Sequence, residues 1–166
     1  MMISQAMNTK LNEQITAEFS AAHTYLAMAC ALDAMGLKIL HQRFLLQTSE
    51  EREHAMKILH YIHEVGGTVT LGAIPEPVAG FDGPEAVVRG ALESEEHITR
   101  LVNDLVTLAE SEKDYATRSF LQWFVTEQVE EVSSMRDLVS LIQMADGAML
   151  QVEARVRHEM MAKETA

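Results

Sequence analysis

Cysteine, proline, glycine and aromatic residues are scarce in this chain, and each scarcity removes a class of structure. There is one cysteine, Cys30, among 166 residues. No disulfide can form within the chain, which fits a reducing compartment and removes disulfide-stapled scaffolds and paired-cysteine zinc sites. Three prolines and eight glycines occur, mostly gathered between Gly66 and Pro84, so long stretches on either side are free of helix breakers. Basic residues are the minority: 13 Lys and Arg stand against 25 Asp and Glu, a formal net charge of -12. That balance argues against general affinity for nucleic acid or an anionic membrane, and suits a protein that attracts cations. No apolar run approaches membrane-spanning length. The N-terminus has no charged segment followed by an apolar one, so no secretory signal is expected and a cytoplasmic location is. Gly-rich phosphate loops and Ser-His-Asp sets are also missing.

What is present is helical periodicity. The length and a hydrophobic content of 48% suit one domain with a sizeable core, residues 1–166. The first helix is predicted over about 4–34, with Leu11, Ile15, Ala22, Tyr25, Ala29 and Leu32 on its buried face. Gly36 interrupts the pattern. A second helix follows over about 37–65, with Leu40, Phe44, Thr48, Ala55, Ile58 and Ile62 inside, and Gly66-Gly67 ends it. Residues 68–82 show no helical period. Val69, Leu71, Ile74, Val78 and Phe81 suggest a segment packed along a surface. So long a connection is unusual in a helical domain, unless it must return the chain along a whole bundle. A helix of about 30 residues is roughly 45 Å long, and about 15 extended residues span that. Pro84 opens a third helix over about 84–111, buried through Val88, Ala91, Ile98, Val102, Leu105 and Ala109. A fourth runs over about 115–145, with Phe120, Phe124, Met135, Leu138 and Ile142 inside. A short fifth covers about 148–161, before a polar tail.

Each long helix carries a carboxylate where its pattern asks for an apolar residue, and each lies near its helix midpoint. These are Glu18, Glu51, Glu95, and Glu127 to Glu131 with Glu130 beside them. His54 is one turn from Glu51, on the same side. One such acid usually means a misjudged helix phase, and a run such as Glu50 to His54 is usually a solvated face. Four misplacements at one height are improbable together. Carboxylates converging in a bundle core need a counter-charge. No Lys or Arg lies on the inner stripes, and a pair of divalent cations would supply it. Mostly oxygen ligands with one imidazole suit iron or manganese better than a thiolate-loving metal. Elsewhere, His60 and His63 are expected at a helix end or in solvent, His23 and His97 at the surface, and His158 in a pore should the chain oligomerise. Cys30 is expected to be buried, and the methionines to fill the core.

These residues resemble the bacterial non-haem ferritins, over nearly the whole chain. The resemblance rests on Lys10-Leu11-Asn12-Glu13-Gln14, on Glu18 with Tyr25, and on Glu50-Glu51-Arg52-Glu53-His54. It continues through Glu95 and the run from Phe120 to Glu131. It implies an all-α, ferritin-like four-helix bundle with a long crossover between helices two and three and a short fifth helix. It implies a ferroxidase that oxidises Fe(II) with dioxygen or peroxide and stores ferric oxyhydroxide in a homo-oligomeric shell of 24 subunits. Carried over by position, Glu18, Glu51 and His54 bind the first iron. Glu51 bridges to a second held by Glu95, with Glu131 close by or coordinating. Gln128 is an amide near that iron, and Tyr25 bonds a site carboxylate. Glu50, Glu127, Glu130 and Glu131 match a third iron position.

Departures narrow the family. The haem-binding relatives have a second Glu-x-x-His in helix four, where this chain has Glu130. They have methionine after the bridging glutamate, where this chain has Arg52, so no haem is expected. The acids that line three-fold pores in animal ferritins are replaced by Arg118 and Leu121, which puts entry by that route in question. Two other classes remain open from the residues: a di-iron oxidase or peroxidase on the same bundle, and an assembly protein with a degenerate site.

Overall fold

The computed structural model describes residues 2–164, and these form five helices. They are α1 (Gln5–Ala34), α2 (Lys38–Glu64), α3 (Pro84–Ser111), α4 (Tyr115–Ala145) and α5 (Met149–Glu164). The last helix runs slightly past the expected end. None is long and apolar enough to cross a membrane. α1 packs on α2 and α3 on α4, α1 also meets α3, and α5 lies against α2 and α4.

The helix ends have local causes. Ser4 caps α1, its Oγ accepting from the Met7 amide at 3.0 Å, and the Asp114 carboxylate caps α4 through the Thr117 amide at 3.0 Å. After α1, Gly36 takes φ +80°, so its amide reaches the Asp33 carbonyl and that of Leu37 reaches Leu32. Gly66 and Gly67 close α2 in the same way. The end of α3 repeats those bonds with Lys113 in the left-handed conformation, at φ +57°. α2 has no cap of its own. The Glu153 carboxylate of α5 supplies it, with Oε1 accepting from the amides of Ile39 and Leu40 at 2.8 and 2.9 Å.

The crossover is held differently from expectation. Leu71, Ile74 and Val78 are exposed, and only Val69 and Phe81 are partly covered. A polar clamp does the work at its start. Asn8 exchanges hydrogen bonds with the backbone of Thr68, Asn12 accepts from the Thr70 amide at 2.6 Å, and Thr16 accepts from Gly72 at 3.2 Å. Four helical residues rise about 6 Å and two extended residues slightly more. Every fourth position of α1 therefore meets every second position of the crossover, and the chain runs parallel to α1.

The apolar core is in two parts. One joins Tyr25 to Leu32, Leu37 to Phe44, Val87 to Ala91, and Met135 to Ile142 with Val152 and Val156. The other joins Met7 to Ile15, Ala55 to Val65, Ile98 to Ala109, and Leu121 with Phe124. In α2, α3 and α4 the gap between them is filled by Gln47, Glu51 and His54, by Glu95, and by Gln128 and Glu131, all buried. Glu18, fully buried in α1, is one turn from Ala22. A polar layer thus crosses the bundle at mid-height. Two smaller expectations fail. Cys30 is exposed, because the buried stripe of α1 passes through Met28, Ala29 and Leu32 and leaves position 30 outside. Phe120 and Thr48 are only partly covered, Phe120 lying stacked on Tyr61.

Candidate metal centre

The polar layer is a cluster of acids with one imidazole. Glu18, Glu51 and His54 can each direct one ligand atom to a common point. So can Glu51, Glu95 and Glu131, and His54, Glu127 and Glu131. Within each set those atoms lie within 4.8 Å of one another. Glu51 belongs to the first two sets and so stands between two potential ion positions. His54 places Nδ1 3.5 Å from Glu51 and Nε2 4.0 Å from Glu131. Its ring meets Trp123 edge to face at 5.3 Å, and the Lys57 ammonium lies over that indole.

One oxygen of Glu18, Glu51 and Glu95 is already held, and both oxygens of Glu131 are. Gln14 donates to Glu18 Oε1 at 2.7 Å, and Tyr25 donates its hydroxyl hydrogen to Glu95 Oε1. Gln128 donates to Glu131 Oε2 and accepts from Thr99 at 2.8 Å. Gln47 donates to Glu51 Oε1 at 3.1 Å and to Glu131 Oε1 at 3.0 Å. What remains is telling: Glu18 Oε2, Glu51 Oε2, Glu95 Oε2 and His54 Nδ1 are buried and make no hydrogen bond, His54 Nδ1 and Glu51 Oε2 standing 3.5 Å apart. Buried polar atoms are nearly always paired, and each orphan costs about 1–3 kcal/mol, more when charged. All four belong to the ligand sets.

The electrostatics match. Burial, then the charge of Glu51, raises the Glu18 carboxyl well above its ordinary range. The same two causes push Glu95 to about 8 and Glu131 to about 11. Burial lowers the His54 imidazole, but Glu51, with Glu127 and Glu95 behind it, outweighs burial and raises it. Burial and Glu95 raise the Tyr25 phenol well above its usual value, so Tyr25 is a neutral donor. No Lys or Arg is among the buried charged residues described. Burial and the charge of Glu51 favour the protonated form of these acids, and bound divalent cations would displace those protons.

The remaining sequence candidates divide. Glu127 is half-buried and joins a ligand set, whereas Glu50 and Glu130 are exposed and join none. His23, His60, His63, His97 and His158 are exposed. Leu121 faces the core and Arg118 pairs with Glu110 at 2.9 Å, so neither position offers an acid to a pore. The glutamines Gln14 and Gln47 escaped the sequence reading as site residues. Each stands one turn before the acid it holds, a signal visible in the spacing.

Known proteins share the fold and much of the sequence. The ferritin-like domain family matches residues 8–145. A bacterial non-heme ferritin of Staphylococcus aureus (strain USA300) is 38% identical over 132 residues, 80% of each chain. That of Staphylococcus haemolyticus is 38% identical over 133 residues, again 80% of each. An open-pore ferritin of Archaeoglobus fulgidus superposes with a TM-score of 0.91 at 39% identity, covering 93% of this chain and 96% of that one. A closed form of that ferritin, engineered by site-directed mutagenesis, superposes with a TM-score of 0.89. With five helices, a crossover between α2 and α3 and this degree of identity, the chain belongs to the ferritin family.

Proposed function

We propose that the chain is an iron-storage subunit with ferroxidase activity, its substrate Fe(II) and its oxidant dioxygen. The observation that carries this is the set of four buried ligand atoms without a hydrogen bond, with no Lys or Arg among the buried charged residues described. Two Fe(II) ions bind side by side, one to Glu18, Glu51 and His54 and the other to Glu51, Glu95 and Glu131. A shared carboxylate suits a separation of about 3.5–4 Å, close enough for both ions to meet one oxidant. Each ion gives one electron and dioxygen accepts the pair, leaving at the level of peroxide. Carboxylates exchange more readily than thiolates or several imidazoles would, so Fe(III) can depart. Glu127, half-buried beside the pair, is its first hold on leaving, and the exposed Glu50 and Glu130 follow.

Storage needs an enclosure, and the resemblance to ferritins implies a homo-oligomeric shell of 24 copies, which the expected absence of a secretory signal would place in the cytoplasm. Exposed apolar side chains are in place for copies to cover: Leu26 and Leu45 on α1 and α2, Leu71 and Val78 on the crossover, and Leu150 on α5. Aerobic Fe(II) oxidation followed by size exclusion tests the whole proposal. A large assembly that oxidises Fe(II) and retains ferric mineral is the expected result. An assembled shell without oxidation would leave only an assembly role. Turnover by a monomer or dimer that retains no mineral would point instead to an oxidase or peroxidase.

A further inference from the structure

Among the described residues, Gln47 alone donates hydrogen bonds to two of the site acids at once. Its Nε2 carries two hydrogens, and the two acceptors are Glu51 Oε1 on α2 and Glu131 Oε1 on α4, at 3.1 and 3.0 Å. Gln14 and Gln128 each hold one acid, on their own helix. Gln47 therefore ties the carboxylate shared by both ion positions to a carboxylate of the neighbouring helix, and leaves Glu51 Oε2 unbonded. It is buried, yet it also lines a cavity of about 290 Å³ between α2, α4 and α5, with Arg43, Glu50, Ser134 and Glu159.

We infer that Gln47 is a positioning residue of the metal centre, setting the spacing of Glu51 and Glu131 by donating one hydrogen to each. This rests on the metal-centre reading above. An amide suits the task because it donates without adding charge to a layer already crowded with acids. Its hydrogen bonds are strongest to ionised carboxylates, the form that binds metal.

The test uses Co(II), which binds without turnover and reports its ligand geometry in the visible spectrum. In Gln47→Met, which keeps length and helix propensity but donates nothing, Co(II) should bind about tenfold more weakly, with a changed visible band. Gln47→Glu, with an acceptor in place of the donor, should also change the band, because its carboxylate either repels the acids or joins the ions. A merely structural role would move the melting temperature and leave the spectrum alone. Wild-type affinity and spectrum in Gln47→Met would overturn the inference, and should that variant fail to fold, a wild-type spectrum in Gln47→Glu would do so. If the parent protein bound no Co(II) better than its Glu51→Ala variant, the metal centre itself would be refuted.

Discussion

Glu95 shows most simply what the proposed site costs the metal-free protein in stability. Burial and Glu51 hold its pKa near 8, against about 4.3 in an unfolded chain. Between those values the unfolded chain has released the proton and the folded one retains it. The metal-free protein should therefore be most stable in mild acid and lose stability as the pH rises from about 4.3 to about 8. Divalent metal should reverse this, raising the melting temperature more at pH 8 than at pH 6 and releasing protons as it binds. Thermal melts with and without metal across that range check it, and a flat metal-free profile would count against the buried acids. By the same logic Glu95→Gln should stabilise the metal-free protein by on the order of 1–3 kcal/mol, or about 2–4 °C per kcal/mol, while weakening metal binding. Glu130→Ala should spare the first turnover and slow later mineral growth, since Glu130 lies outside every ligand set. Loss of the first turnover would make it a ligand of the pair. The acids themselves were legible because a charged residue on an apolar stripe breaks a period. Gln14 and Gln47 were passed over although each stands four residues before its acid, because a single amide on such a stripe resembles an ordinary polar interruption.

At the scale of the helix, sequence and structure agree where the cause is local and part where it is not. Gly36, Gly66 and Pro84 mark helix ends by their own backbone preferences, and the helices end or begin at those places. The cap on α2 could not be read, because Glu153 lies far along the chain and reaches it only after α5 has docked. Nor could the crossover clamp, since Asn8, Asn12 and Thr16 look like a solvated face until an extended segment lies on them. Glu153→Ala should cost about 1–2 kcal/mol, as losing a cap does, and loosen α5, which hydrogen exchange would report; unchanged exchange in α5 would refute its role as the link. Lys113 occupies a left-handed position that two other helix ends give to glycine. Lys113→Gly should stabilise by about 0.5–1 kcal/mol, measured by denaturant midpoint, and a loss of stability would mean the side chain does more than tolerate its backbone.

The whole molecule is two apolar cores with a polar layer between them. Each of the four long helices contributes to both cores, so each must cross the layer, and four independent elements fix its height. That construction spaces the layer's acids without metal, through neutral donors from Gln14, Tyr25, Gln47 and Gln128. It also explains why the pattern of acids could be found from periodicity, since a bundle of similar-length helices aligns its midpoints. The faces that would join copies into the proposed shell are not encoded in any period, because the same leucine can serve a core or an interface. The most direct measurement is a crystal structure soaked anaerobically with Fe(II), with anomalous scattering locating the iron. A paired centre predicts two peaks about 3.5–4 Å apart, one beside Glu18 and His54, the other beside Glu95 and Glu131, with Glu51 between them. Iron bound only at surface acids, with the buried layer empty and its four ligand atoms still unbonded, would contradict it.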